Sequence, residues 1–161
     1  MTGLLRKFLR PGEFYADRAP AVAETLVGSC VAVCLYNFKQ GFGAMNHFLM
    51  DRPRDPADTN IGHYGVTSTR HIIDAVMAID PEVTHYRASI IGGAAVLKTA
   101  HADGHIGSAN VQAALEVLRE AAQKLEIPAA GTHGDLRAPE RVLDEQAGKR
   151  RDSQGRERDP V

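Results

Sequence analysis

Gly28-Ser29-Cys30-Val31-Ala32-Val33-Cys34-Leu35-Tyr36 opens on a Gly-Ser turn and runs directly into an apolar, β-branched stretch. The composition of the run predicts a strand over residues 30–36, with Cys30 where the turn becomes strand. Gly28 lets the backbone take dihedrals closed to other residues and lets a second chain segment approach. The N–H groups of such a turn can converge on one spot. A sulfur beside converging donors is raw material for attack on a carbonyl. A lone cysteine is more often a small buried hydrophobe. The turn around Cys30 and a histidine downstream favour the chemical reading.

That histidine is His47, in Gly41-Phe42-Gly43-Ala44-Met45-Asn46-His47-Phe48-Leu49-Met50, 17 residues after Cys30. The apolar character of 42–50 predicts a second strand, and Tyr36-Asn37-Phe38-Lys39-Gln40-Gly41 reads as a strand end and turn. Paired strands lie about 5 Å apart, so a hairpin folding back near 38–41 brings His47 beside Cys30. An imidazole there can take the thiol proton and leave a thiolate. Spacing alone also fits a core histidine.

With Glu24-Thr25-Leu26-Val27 before the cysteine, these segments resemble the chemoreceptor glutamine deamidase family CheD. Pro11-Gly12-Glu13-Phe14-Tyr15, Ile90-Ile91-Gly92-Gly93-Ala94 and Ile106-Gly107-Ser108-Ala109-Asn110-Val111 follow the family's order, so the resemblance spans residues 11–131. It implies a cysteine hydrolase that converts receptor glutamines to glutamates and releases ammonia. It puts the nucleophile on Cys30, the base on His47 and a supporting threonine on Thr25. In some members that threonine falls one position earlier, where this chain has Glu24. Gly28 and Ser29 form the turn whose N–H groups would hold the oxyanion. The family often has Asp where this chain has Asn37, and Thr132-His133-Gly134-Asp135-Leu136-Arg137 matches its C-terminal pattern only in part. The implied partners are chemoreceptor cytoplasmic domains as substrate and a CheC-type chemotaxis phosphatase. A binding module that docks to either, and a cysteine hydrolase acting on another amide or ester, are the rival readings.

The 161 residues, 43% of them hydrophobic, suit one domain with a sizeable core. A net charge of −1, from 19 basic and 20 acidic residues, gives no field for nucleic acid or a membrane surface. No apolar stretch approaches the roughly 20 residues of a membrane span, and the charged N-terminus lacks a signal-peptide core. These features predict a cytoplasmic protein without membrane insertion. Cys30 and Cys34, on one strand, would be about 13 Å apart, too far for a disulfide. Paired Cys-x-x-Cys or His-x-x-x-His spacings are absent, and no metal or cofactor is called for.

Residues 1–10 read as a short amphipathic turn or a disordered end, 14–16 as an edge strand and 21–27 as a strand. The Pro- and Asp-rich stretch 51–60 reads as a surface loop. A helix capped by Thr67 or Ser68 runs to Ala78, and a strand over 86–91 ends at Gly92-Gly93. Those glycines either let the backbone approach the Cys30 turn or make a tight bend. Ser108 caps a helix over 109–125 striped by Val111, Ala114, Leu115, Leu118, Ala122 and Leu125, with a Glu120–Lys124 pair outside. His71 takes no role, and Asn110 reads as a surface residue. Residues 128–131 open a last strand, and His133 behind it is the alternative base. The tail from Gly148, with five basic and three acidic residues, is expected to be disordered alone, leaving 1–147 as one domain. This order of elements is α+β. The resemblance implies two mixed β-sheets packed face to face with helices on the outside, an α/β/β/α-like arrangement.

Overall fold

The structure, a computed structural model, describes residues 4–94 and 105–124. The last strand expected from Pro128, the alternative base His133 and the basic tail lie outside them. Six strands and two main helices follow one another: β1 (Leu5–Phe8), β2 (Phe14–Asp17), β3 (Ala21–Glu24), β4 (Val31–Asn37), β5 (Phe42–Asn46), α1 (Gly65–Met77), β6 (Tyr86–Gly92) and α2 (Ile106–Lys124). This is an α+β fold with two sheets. The larger has the order β2-β5-β4-β6, antiparallel throughout; the smaller is the parallel pair β1-β3.

Alternation along the central hairpin sorts the core into two layers. Val31, Val33 and Leu35 of β4, with Phe42, Ala44 and Phe48 from β5 and its continuation, pack under Ile72 and Val76 of α1 and Ala114 of α2. The residues between them, Ala32 and Met45, face the other way onto Leu9, with Ala23, Val27, Cys34 and Tyr15 around them. Both helices therefore cover one face of the large sheet among the described residues, and β1-β3 covers the other. No described helix is long and apolar enough to cross a membrane.

The hairpin turn is tied at its end. Asn37, fully buried, accepts from Lys39 N and Gln40 N through Oδ1 and donates to Asp80 through Nδ2 at 2.7 Å. Asparagine here supplies the donor that a second carboxylate beside Asp80 could not. His85 Nδ1 reaches the same Asp80 oxygen at 2.8 Å. Hydrogen bonds from His85, then Asn37, hold the Asp80 carboxyl down to about 2.

Several boundaries differ from expectation. The N-terminal stretch is a strand, because Leu5–Phe8 finds backbone partners along Ala21–Glu24; all four residues are exposed, so no buried face marks it in sequence. Helix α1 starts earlier, at Gly65, with Tyr64 in extended conformation before it and no side-chain cap; Thr67 Oγ1 bonds back to Ile61 O instead. Helix α2 starts at Ile106, which puts Ser108 inside its first turn with Oγ on His105 O. The β5 ladder stops at Asn46 because the Asn46 side chain takes the place of backbone, accepting from Val33 N at 2.7 Å. Its Nδ2 continues to Ser68 and Thr69 of α1. Glu120 pairs with Arg70 of α1 at 2.8 Å, a bond between the two helices.

Candidate active site

The register of the central hairpin runs past Asn46. Val31 and Phe48 exchange both backbone hydrogen bonds, at 3.1 and 2.9 Å, in step with Cys34 opposite Met45. His47 is thus opposite Ala32, and its side chain lies on the β1-β3 side of the sheet. Cys30 stands in the bend one residue before β4, and among the described residues no hydrogen bond joins its sulfur to His47. Cys30 is half-buried, whereas His47 is only 2% exposed.

The His47 ring is held from one edge. Its Nδ1 lies 2.7 Å from Thr25 Oγ1 and 3.4 Å from Leu9 O, while Thr25 Oγ1 lies 2.7 Å from Leu9 O. Donor counting assigns the protons. Leu9 O can only accept, so the single hydroxyl proton of Thr25 goes to it. Thr25 Oγ1 must then accept from His47, which places the imidazole proton on Nδ1. Nε2 is left bare, and it is buried with no partner among the described residues. A bare imidazole nitrogen inside the protein, with the other nitrogen clamped, is the arrangement of a general base.

Thr25 rather than Glu24 meets the histidine. Glu24, the last residue of β3, pairs with Arg6 of β1 at the surface. One residue later the chain has turned its side chain inward. Leu9 O is available because Leu9, at the end of β1 and fully buried, gives its N–H to Glu24 O.

The turn that carries Cys30 is gripped from behind. Gly93 N donates to Cys30 O and Ala94 N to Gly28 O, each at 2.9 Å. Gly92 and Gly93 make this approach with φ of +102° and +73°, and a Cβ on Gly92 would collide with Cys30 O. The glycine pair therefore serves close approach to the Cys30 turn. Asn110 holds the carbonyl between, donating from Nδ2 to Ser29 O at 3.2 Å and to Leu49 O at 2.8 Å. It is fully buried, against expectation. The signal was its place on the helix stripe, one turn before the buried Ala113, Ala114 and Val117. Among the described residues, the Ser29 and Cys30 N–H groups donate to nothing.

Cys34 lies deeper. Burial pushes its thiol up to about 11, so it stays protonated and inert at neutral pH. His71 lies away from the site, its ring against Phe14 with centroids 4.4 Å apart. Among the described residues, no cluster of three His, Cys, Asp or Glu is placed to hold a metal.

Residues 49–136 match the profile of a family described as CheD, chemotactic sensory transduction. This stretch takes in Gly92, Gly93 and Asn110. A probable chemoreceptor glutamine deamidase CheD from Rhodospirillum rubrum is 37% identical over 113 residues, which cover 70% of this chain and 63% of that protein. One of the same description from Trichlorobacter lovleyi is 35% identical over 117 residues, 70% of each chain. A third, from Methanococcus maripaludis, is 28% identical over 128 residues, covering 80% of this chain and 82% of its own. With the profile matching more than half of its length and such relatives alongside, the chain belongs to the CheD family.

Proposed function

We propose that this protein is a glutamine deamidase acting on chemoreceptor cytoplasmic domains, with Cys30 as nucleophile, His47 as base and Thr25 as the residue that orients the base. The observation that supports the reading is the bare Nε2 of His47, held by Thr25 on the strand paired with the one that Cys30 leads into.

His47 Nε2 takes the Cys30 thiol proton, and the thiolate attacks the side-chain amide carbon of a substrate glutamine. The carbonyl oxygen becomes an oxyanion, received by the N–H groups of Ser29 and Cys30 on the turn opened by Gly28. The imidazolium returns its proton to the nitrogen as the C–N bond breaks, and ammonia leaves. A thioester on Cys30 remains. Water, deprotonated by His47, attacks it; glutamate leaves and the proton goes back to sulfur. Thr25 keeps one ring nitrogen protonated throughout, so that the other cycles. Residues 1–147 form the catalytic domain on this reading, and the protein works in the cytoplasm. A CheC-type phosphatase is the further partner the family implies.

The test is to incubate a glutamine-bearing receptor fragment with wild type, Cys30→Ala and Cys34→Ala. Wild type and Cys34→Ala should each raise the fragment's mass by about one dalton per converted glutamine, and Cys30→Ala should not. An equal gain with Cys30→Ala would remove Cys30 from the chemistry. No gain with wild type, alongside binding of the fragment, would leave a docking protein.

A further inference from the structure

Asparagine is a poor choice inside a helix, and Asn110 stands in the second turn of α2, fully buried. Its amide cannot be turned over, since Oδ1 would then face two carbonyl oxygens. In the orientation observed, Nδ2 satisfies Ser29 O and Leu49 O, and Oδ1 is buried with no partner among the described residues. The fold thus tolerates one orphaned acceptor in order to grip two carbonyls.

What those carbonyls have in common is the candidate site. Gly28 O, Ser29 O and Cys30 O are three consecutive carbonyls, and all three are held: by Ala94 N, Asn110 Nδ2 and Gly93 N. None of these peptide bonds is cis. In a trans peptide the C=O and the N–H of one unit point in opposite directions. Holding Gly28 O therefore aims Ser29 N–H, and holding Ser29 O aims Cys30 N–H. The outer grips are backbone and independent of side-chain identity. The middle one is a side chain, and it acts on the peptide unit whose N–H belongs to the nucleophile residue. The second bond, to Leu49 O, ties the same amide to the strand continuation two residues past His47.

We infer that Asn110 is a positioning residue for the reaction: by holding the Ser29 carbonyl from α2, it aims the Cys30 N–H at the oxygen of the tetrahedral intermediate and keeps that turn in register with the His47 strand. The inference rests on the deamidase reading above.

The experiment compares wild type with Asn110→Ala and Asn110→Asp in three measurements: kcat and KM for deamidation of a receptor fragment, the rate of Cys30 alkylation by iodoacetamide, and circular dichroism to establish folding. Alkylation displaces iodide at a tetrahedral carbon and forms no oxyanion, so it reports thiolate supply and access alone. Loss of an oxyanion donor's aim should lower kcat at least about 30-fold while KM stays within about threefold and the alkylation rate within about twofold. Asn110→Asp, closest in shape, presents an acceptor to both carbonyls and should lose as much; it carries the comparison if the alanine variant does not fold. A folded variant with kcat within about threefold of wild type overturns the inference, as does an alkylation rate that falls in step with kcat, the signature of lost packing. Wild type that binds the fragment but does not deamidate it overturns the deamidase reading and this inference with it. Active wild type with unimpaired Asn110 variants overturns this inference alone.

Discussion

Replacing Thr25 with valine keeps the shape of the side chain and removes one oxygen. That oxygen donates to Leu9 O and accepts from His47 Nδ1, both at 2.7 Å. Without it the Nδ1 proton has only Leu9 O, 3.4 Å away, which is too long for a good bond. A neutral hydrogen bond contributes about 1 kcal/mol net, and a buried donor left poorly satisfied costs about 1–3 kcal/mol. The same energy is what favours the tautomer with a bare Nε2. Losing about 1.4 kcal/mol shifts the tautomer ratio tenfold toward the form whose proton blocks Nε2. The tautomer shift alone lowers the active fraction only a few-fold, so Thr25→Val should lower kcat/KM about tenfold only with the added loss of ring orientation, and Thr25→Ser should recover most of it. Long-range proton–nitrogen correlation spectra of the His47 ring report the tautomer directly. Wild type should show the proton on Nδ1 and Thr25→Val a mixture. A wild-type ring with its proton on Nε2 refutes the donor counting. An unchanged tautomer with a rate within twofold in the variant refutes the role given to Thr25.

Gly92→Ala puts a Cβ against Cys30 O at a positive φ, so it should destabilise the fold by at least about 2 kcal/mol and slow deamidation as the Cys30 turn shifts; a urea midpoint equal to wild type would contradict the close approach. The Asp80 carboxyl, held at about 2 against an ordinary 3.8, contributes stability that is complete above the ordinary value and is lost as pH falls through about 2. Asp80→Asn should be less stable at neutral pH and lose less between about pH 4 and pH 2, which denaturant midpoints across that range measure. The two thiols should label in sequence at about pH 8, Cys30 first and Cys34 more slowly, because burial holds Cys34 protonated. Peptide mapping that finds Cys34 modified first would contradict this.

The hairpin was legible because local pattern and tertiary role agree in it. The β-branched run from Val31, the turn before Gly41 and the apolar segment from Phe42 each read as they fold, and their register sets His47 opposite Ala32, two residues after Cys30. Strand β1 was not legible, since Leu5-Arg6-Lys7-Phe8 buries no face and takes its conformation from pairing with β3 far along the chain. The choice between Glu24 and Thr25 could not be made locally, because it depends on where β3 ends and where Leu9 O stands. Asn110 was misread as a surface residue for a related reason. Its partners are carbonyls at positions 29 and 49, and backbone acceptors leave no mark in sequence. The short β5 has the same origin: the Asn46 side chain substitutes for the ladder, which apolar patterning does not encode.

In the proposed mechanism a covalent acyl group passes through the Cys30 sulfur. Receptor fragment turned over in the presence of hydroxylamine tests it, because a thioester is open to that nucleophile whereas direct attack of water on the amide never forms one. Wild type should yield glutamyl hydroxamate, about 16 Da above the parent glutamine, alongside glutamate, and Cys30→Ala should yield neither. Glutamate as the sole product of wild type at saturating hydroxylamine, or hydroxamate from Cys30→Ala, would contradict the mechanism.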